Sequence, residues 1–137
     1  SNRIKARFKR KNIHWYGRYE NRNDNAILSE IDILIVPSVW FENSPLVIHE
    51  AFLSKTPVIT SKAGGMEEMV QHNINGLLFE LGNDEDLKRQ ILRIIDQPDL
   101  LNRFKTNLPD VTDIKQHSMD IRKIYNLFKV NTSFDEI

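Results

Sequence analysis

The sequence contains no cysteine, and that one absence removes three chemistries. A disulfide scaffold, a thiolate zinc site and a cysteine nucleophile are all excluded, and the composition suits a reducing compartment. Long apolar runs are missing as well. Ile31–Val36 is six residues long and already contains Asp32, against the roughly 20 residues that cross a bilayer. No segment joins a charged start, an apolar stretch and a small-residue cleavage site in the manner of a signal peptide. Neither sign of charge is in excess: 19 Lys+Arg balance 19 Asp+Glu, so no global field draws the chain onto nucleic acid or membrane. What is present is ordinary for a folded domain, with 40% hydrophobic residues in 137 and a mean hydropathy of -0.44. The length is that of one domain. The expectation is a soluble, cytoplasmic, single-core domain over residues 1–137.

Along the chain, Arg3–Lys11 carries six basic residues and no acid. Ile4 and Phe8 stand four apart, which reads as a short amphipathic helix with a solvated basic face. A nucleic-acid arm is the sharper reading, but no aromatic or Gly/Arg interleaving accompanies the charge, and no nucleic-acid partner is expected. A regular alternation follows. Ile13–Arg18 reads as a strand, Asp24–Ile31 as a short helix, and Ile33–Val36 as an apolar strand buried on both faces. Pro45–Ser54 reads as a helix, Pro57–Thr60 as a second buried strand, Gly65–Gln71 as a short helix and Gly76–Phe79 as a last strand. Asn83 caps the next helix, whose core stripe is Leu87, Ile91, Ile94 and Ile95 up to Pro98. Asp99–Thr106 and Asp113–Lys129 are two further helices, the latter with Ile114, Ile121, Tyr125 and Phe128 on one face. Strands alternating with helices predict an α/β fold, a doubly wound parallel sheet of Rossmann-like type. Ligands of such sheets bind beyond the carboxyl ends of the strands, which directs attention to residues 17–24, 37–45 and 61–66.

The segment Ser38-Val-Trp-Phe-Glu-Asn-Ser-Pro45 enters a helix at the mouth of the sheet. Ser44 is a plausible N-cap and Pro45 a favoured first helical residue. The free N–H groups at Leu46 and Val47 would then form an anion site, with phosphate the usual occupant. The plainer reading is a capped helix that binds nothing. Leu46, Val47, Ile48, Ala51, Phe52 and Leu53 leave hardly a polar face, so the helix is expected to be buried. Glu50 lies within that run and needs donors, either a basic side chain or ligand hydroxyls. Glu42, eight residues earlier, could face the same pocket from the loop. Such a pair could be the acid and base of a glycosidase, although those acids normally come from separate strand ends. Hydroxyl recognition is the better reading, because carboxylates are acceptor-only and suit the vicinal diols of sugars and ribose.

Gly64-Gly65 follows a strand and precedes a helix, where glycines let backbone approach a ligand closely. A tight turn needs the same residues. His14, His49, His72 and His117 are scattered, with no Asp-x-Asp cluster, so no metal is expected. His49 is read as a satisfied core histidine or as a ligand neighbour of Glu50, and Lys62 as a surface lysine or a phosphate contact.

Taken together, Pro37-Ser38, Glu42-Asn-Ser-Pro45-Leu46, Glu50-Ala51-Phe52, Thr56-Pro57-Val58-Ile59, Gly64-Gly65-x-x-Glu68 and Asn75-Gly76-Leu77-Leu78-Phe79 resemble the retaining glycosyltransferases of family 4. Those are enzymes of the GT-B fold that use nucleotide diphosphate sugars. Glu42 and Glu50 look like that family's Glu-x7-Glu motif, and the likeness runs from about Ile13 to Phe128. The resemblance implies hexosyl transfer with retention, Glu42 on donor-sugar hydroxyls as the catalytic residue and Glu50 on the ribose. It also implies sugar and diphosphate against the backbone of Asn43, Ser44, Pro45, Leu46 and Val47, the Trp15–Arg18 segment with Gly17 and Arg18 beside the base, and Gly64 and Gly65 lining the donor site. No metal or other cofactor is implied. Ser44 stands where many members have an aromatic and Asn43 where many have glycine, so the sugar is left open.

The family's donor domain begins with a further strand and a Gly-rich segment bearing an Arg and a Lys for the diphosphate, preceded by an acceptor-binding domain. By the resemblance, this chain is the C-terminal half of a GT-B fold, incomplete on its N-terminal side. A sugar or glycolipid acceptor would bind the absent domain, the intact enzyme could sit at the inner membrane surface, and the fragment could self-associate. A non-catalytic nucleotide-sugar binding module would share the pocket. A signalling receiver domain fits the size but needs a phosphoacceptor Asp where Ile33–Val36 ends in Pro37-Ser38.

Overall fold

The computed structural model describes residues 11–17, 24–111 and 114–130. The basic segment 3–10, Arg18 and Asp113 lie outside the described residues. The elements in order are α1 (Asp24–Ser29), β1 (Leu34–Val36), α2 (Leu46–Leu53), β2 (Val58–Ser61), α3 (Gly65–Met69), β3 (Gly76–Phe79), α4 (Asp84–Asp96), α5 (Asp99–Thr106) and α6 (Ile114–Val130). The three strands form a parallel sheet in the order β1-β2-β3. Leu34 stands opposite Val58, and Ile59 opposite Leu77. Among the described residues, no helix is long and apolar enough to cross a membrane.

The central strand β2 is buried at all four positions. Its alternating side chains divide the core into two halves, as the pleat demands. Val58 packs with Ile48, Ala51 and Phe52 of α2, Met66 of α3, and Val70. On the opposite face Ile59 packs with Leu77 and Phe79 of β3, Ile94 of α4, and Leu100 and Phe104 of α5. Helices thus cover both faces, which is the doubly wound arrangement expected of the alternation. Each fully buried aliphatic or aromatic side chain contributes about 1.5–3 kcal/mol.

The turn from α2 into β2 is tightly made. Lys55 takes φ +57 immediately after the helix, its N–H reaches Phe52 O at 3.0 Å and the Thr56 N–H reaches Ala51 O at 2.8 Å. Those two bonds are the Schellman pattern, normally completed by glycine. The buried Thr56 hydroxyl then donates to Leu28 O at 2.6 Å, tying α1 to the start of β2.

Four expectations need correction. Residues 13–17 are exposed and join no strand, because no described neighbour supplies the ladder that a strand requires. Strand β1 is half-buried rather than buried on both faces, with Ile35 37% exposed, since it is the sheet edge and α4 and α5 lie over β3 and β2. In α4, Leu87, Ile91 and Ile94 pack on the core as expected, but Ile95 is 64% exposed, and Asp86 and Gln90 are buried beside Ile94. Asp86 is held there by its hydrogen bonds, described below. On α6, Ile121 and Tyr125 are exposed, so the expected apolar face is not packed at those positions.

Candidate functional site

At the carboxyl ends of β1 and β2, two loops are fastened together by polar groups of β2. The Thr60 hydroxyl donates to Val36 O at 3.1 Å, and the Ser61 hydroxyl donates to Ser38 O. The chain leaving β1 is therefore anchored for three residues before it swings outward. Ser38 Oγ accepts from the Trp40 N–H at 3.3 Å. Ser38 Oγ lies 3.4 Å from both Trp40 O and Glu42 Oε1, either of which can accept its single hydrogen. Glu42 is exposed, and the hydroxyl holds its carboxylate at the long limit of a hydrogen bond, free to accept further donors.

The glycine pair packs against the loop after β1. The Gly65 N–H donates to Glu42 O at 2.9 Å. A Cβ on Gly65 would lie 1.5 Å from Asn43 O, and one on Gly64 would lie 3.0 Å from Glu42 O. Gly64 also takes φ +53, a region that side chains rarely adopt. The close backbone approach that glycine permits is thus occupied by the Glu42–Asn43 loop. Both glycines set where Glu42 and Asn43 stand, and Gly65 itself is buried.

Helix α2 begins differently from the sequence expectation. Pro45 is the N-cap, and no side chain caps the helix. The Ser44 hydroxyl lies instead 2.6 Å from His49 Nε2, a partner that local N-cap rules do not include. Leu46 is 75% exposed and Leu53 40%, with Ile48, Ala51 and Phe52 buried, so the helix is amphipathic by position rather than wholly buried. Val47, His49 and Glu50 are half-buried. The first turn of α2 thus stands at the same sheet end as Glu42, Asn43, Gly64 and Gly65. Gly17 takes φ +79 in open space, and nothing recorded in the structure joins it to this group.

A polar cluster at the end of β3 escaped the sequence reading. A cleft of about 340 Å³ is lined by Lys62, His72, Leu78, Glu80, Asp86 and Gln90. Asp86 Oδ2 accepts from the Glu80 N–H at 2.8 Å. Its Oδ1 accepts from Arg89 Nη2 at 2.8 Å and Gln90 Nε2 at 3.1 Å. The backbone donor at Glu80, with Arg89 and Gln90 behind it, holds the Asp86 carboxyl down to about 2, against the opposing effect of burial. His72 Nδ1 accepts from the Leu78 N–H at 2.9 Å, and burial, with Arg93 next, pushes its pKa down. Lys62 is exposed and pairs with Glu80 at 4.0 Å. The spacing of Asn83 to Asp86, cap to third helical residue, was the one available sequence signal. A second cleft, of about 440 Å³, includes His49, Phe52, Glu68, Met69 and Asn75 in its lining. It lies on the flank of α2 and α3. Among the described residues no group of three or more His, Asp or Glu could hold a metal ion.

Comparison with known proteins gives these features a context. The sequence pattern of the family described as Glycosyl transferases group 1 matches residues 1–110. The chain is similar to an uncharacterized glycosyltransferase of Methanocaldococcus jannaschii, 31% identical over 118 residues, covering 82% of this chain and 33% of that protein. It is also similar to the UDP-Gal:alpha-D-GlcNAc-diphosphoundecaprenol alpha-1,3-galactosyltransferase of Escherichia coli, 34% identical over 87 residues, covering 63% of this chain and 22% of that one. Among solved structures, Anabaena HepE in complex with UDP-glucose is similar at 26% identity and a TM-score of 0.68, covering 77% of this chain and 29% of that one. The chain therefore spans a third or less of the length of these relatives.

Proposed function

From the fact that the chain belongs to the group 1 glycosyl transferases, we propose that it forms the donor-binding part of an enzyme transferring a hexosyl unit from a nucleotide diphosphate sugar, with retention. The observation that carries the reading is the Gly65 N–H bonded to Glu42 O at 2.9 Å. That bond fixes the Glu42–Asn43 backbone beside the start of α2, at the sheet end where α/β folds bind ligands. In this reading the Glu42 carboxylate accepts from donor-sugar hydroxyls and is the catalytic residue. Glu50, half-buried on α2, accepts from the ribose diol. The backbone from Asn43 and Ser44 through Pro45 to Leu46 and Val47 meets sugar and diphosphate, whose charge suits the start of a helix. Gly17 and Arg18, the latter outside the described residues, are assigned to the base, and Gly64 and Gly65 to the lining of the donor site. No metal is among the partners in this scheme. The sugar or glycolipid acceptor is held by a further domain, and the compartment is the cytoplasm, which the lack of cysteine suits.

In this scheme the carboxylates accept from hydroxyls and the backbone N–H groups donate to phosphate. Bringing the two substrates together is the larger part of the acceleration, and it requires both domains. The test is titration of the chain with UDP-glucose by ligand-observed NMR, with competition by UDP. Saturable binding displaced by UDP and weakened by Glu50→Gln supports the reading. No binding to a chain shown to be folded overturns it.

A further inference from the structure

His49 has no part in the donor contacts above, yet it holds the side chain of a residue that does. Ser44 Oγ lies 2.6 Å from His49 Nε2 and 3.8 Å from Met69 Sδ. The three groups come from the loop after β1, the first turns of α2, and the end of α3. Ser44 is exposed while His49 is half-buried and lines the cleft on the flank of α2 and α3. Because α2 begins on Pro45 without a side-chain cap, the Ser44 hydroxyl meets the side chain of His49 rather than the free backbone N–H groups of the helix it precedes.

We propose that His49 is a positioning residue for the nucleotide donor: it fixes the Ser44 hydroxyl so that this group delivers its hydrogen to an oxygen of the nucleotide diphosphate. The inference rests on the donor-binding reading and deepens it. A hydroxyl has one hydrogen to give and two lone pairs to receive. If His49 carries its proton on Nδ1, Ser44 spends its hydrogen on Nε2. If the proton is on Nε2, the imidazole donates to Ser44 Oγ, and the serine hydrogen must go elsewhere. Without a ligand the serine hydrogen has the Met69 sulfur, a weak acceptor at 3.8 Å, or solvent, since Ser44 is exposed. An anionic phosphate oxygen is a much stronger acceptor, because one partner is then ionised. Binding of a diphosphate thus selects the Nε2–H tautomer and turns Ser44 from the sulfur or solvent to the ligand. The imidazole also braces the residues between Glu42 and Pro45 from the helix side, opposite the brace that Gly65 supplies.

The test uses UDP as the probe and the full chain as the protein, comparing the unaltered sequence with Ser44→Ala, His49→Phe, His49→Gln and the Ser44→Ala/His49→Phe pair. Ser44→Ala and His49→Phe are each expected to weaken UDP about tenfold or more, the loss of one hydrogen bond to a charged group. The pair is expected to be no weaker than either single change. His49→Gln, whose amide nitrogen replaces Nε2 as donor, is expected to recover most of the affinity. Ring nitrogen spectra should show His49 moving toward the Nε2–H form as UDP is added. UDP affinity unchanged in His49→Phe, or losses in the pair that multiply, overturns the inference while leaving the donor reading intact. Should His49→Phe fail to fold, Ser44→Ala decides, and affinity equal to the unaltered chain overturns it. Failure of the unaltered chain to bind UDP at all overturns the donor reading and this inference together.

Discussion

Gly65 packs on Asn43 with no room for a side chain: a Cβ there would lie 1.5 Å from the Asn43 carbonyl oxygen and 2.4 Å from its carbonyl carbon. The obstacle is backbone on both sides, so neither partner can relax by turning a rotamer. Two loops from different strands are locked by this contact. It transmits the position of α3 directly to the loop that carries Glu42.

Gly65→Ala should therefore do two things at once. Overpacking against backbone costs about 1–3 kcal/mol, visible as a lower midpoint in urea unfolding. Donor affinity should fall as well, because the Glu42–Asn43 loop has to move away. A variant with unchanged stability and unchanged UDP-glucose binding would show that the contact is looser than described.

Lys55 offers the opposite case, a residue where the native choice is not the most stable. It holds φ +57 at the end of α2, a conformation that costs an L side chain roughly 1–2 kcal/mol and glycine little. Its ion pair with Asp110, at 3.8 Å and exposed on both sides, contributes little. Lys55→Gly is expected to raise stability by about 1 kcal/mol, less the entropy that glycine adds to the unfolded chain. A lower unfolding midpoint would contradict this.

Asp86 sets the acid limit of the fold. Its folded pKa of about 2 lies below the ordinary 3.8, so the unfolded chain binds this proton more readily. The stabilisation is complete above about pH 4 and is lost as pH falls toward 2. His72 adds to the same trend higher up. Its pKa is pushed below 6.5, so stability contributed by the neutral ring declines as pH falls through and below that value. Asp86→Asn should flatten the stability profile between pH 4 and pH 2, the window those two values define. Equal slopes for both proteins in that window would remove Asp86 from the account.

How far the sequence foretold this structure can be seen element by element. Strands β2 and β3 and helices α4 and α5 are legible because their signals are local: a β-branched run in β2, an apolar run after the Asn75-Gly76 turn in β3, an Asn83 cap, and proline at the boundaries. Asn83 Oδ1 does accept from the Asp86 N–H at 3.0 Å. The reading failed where a distant partner decides. Ser44 has every local mark of an N-cap, but His49 takes its hydroxyl. Ile95 fits the helical stripe, but it is exposed at its edge while Asp86 and Gln90 are buried toward the end of β3. Ile13–Gly17 alternates like a strand, but a strand exists only with its neighbour. The glycine pair reads as a place of close backbone approach, and only the fold shows that Asn43 packs on Gly65 there. Glu42 and the start of α2 were placed at the correct end of the sheet because strand polarity follows from topology alone.

Strand β1 leaves one edge of the described sheet unpaired, with Ile35 37% exposed beside it. An open parallel edge with an apolar neighbour favours pairing with another chain. The chain is expected to associate with increasing concentration in sedimentation measurements, and Ile35→Lys to suppress that association. Strictly monomeric behaviour at high concentration would count against it.

The two glutamates allow the donor scheme to be divided into its parts. Glu42 is exposed in the loop after β1, loosely held by the Ser38 hydroxyl, whereas Glu50 is half-buried on α2. If Glu50 serves the ribose and Glu42 the sugar, Glu50→Gln should weaken UDP and UDP-glucose alike. Loss of one charge-assisted hydrogen bond predicts roughly 1.5–3 kcal/mol for each ligand. Glu42→Gln should weaken UDP-glucose by a similar amount and leave UDP nearly untouched, since UDP carries no sugar hydroxyl beyond the ribose. Both changes are nearly isosteric, and an unaltered unfolding midpoint would show that the fold is unharmed. The measurement is paired calorimetry with the two ligands. Equal loss of both ligands in Glu42→Gln would mean that Glu42 meets the nucleotide instead of the sugar. Retention of UDP affinity in Glu50→Gln would mean that the helix carboxylate serves the fold and not the ribose.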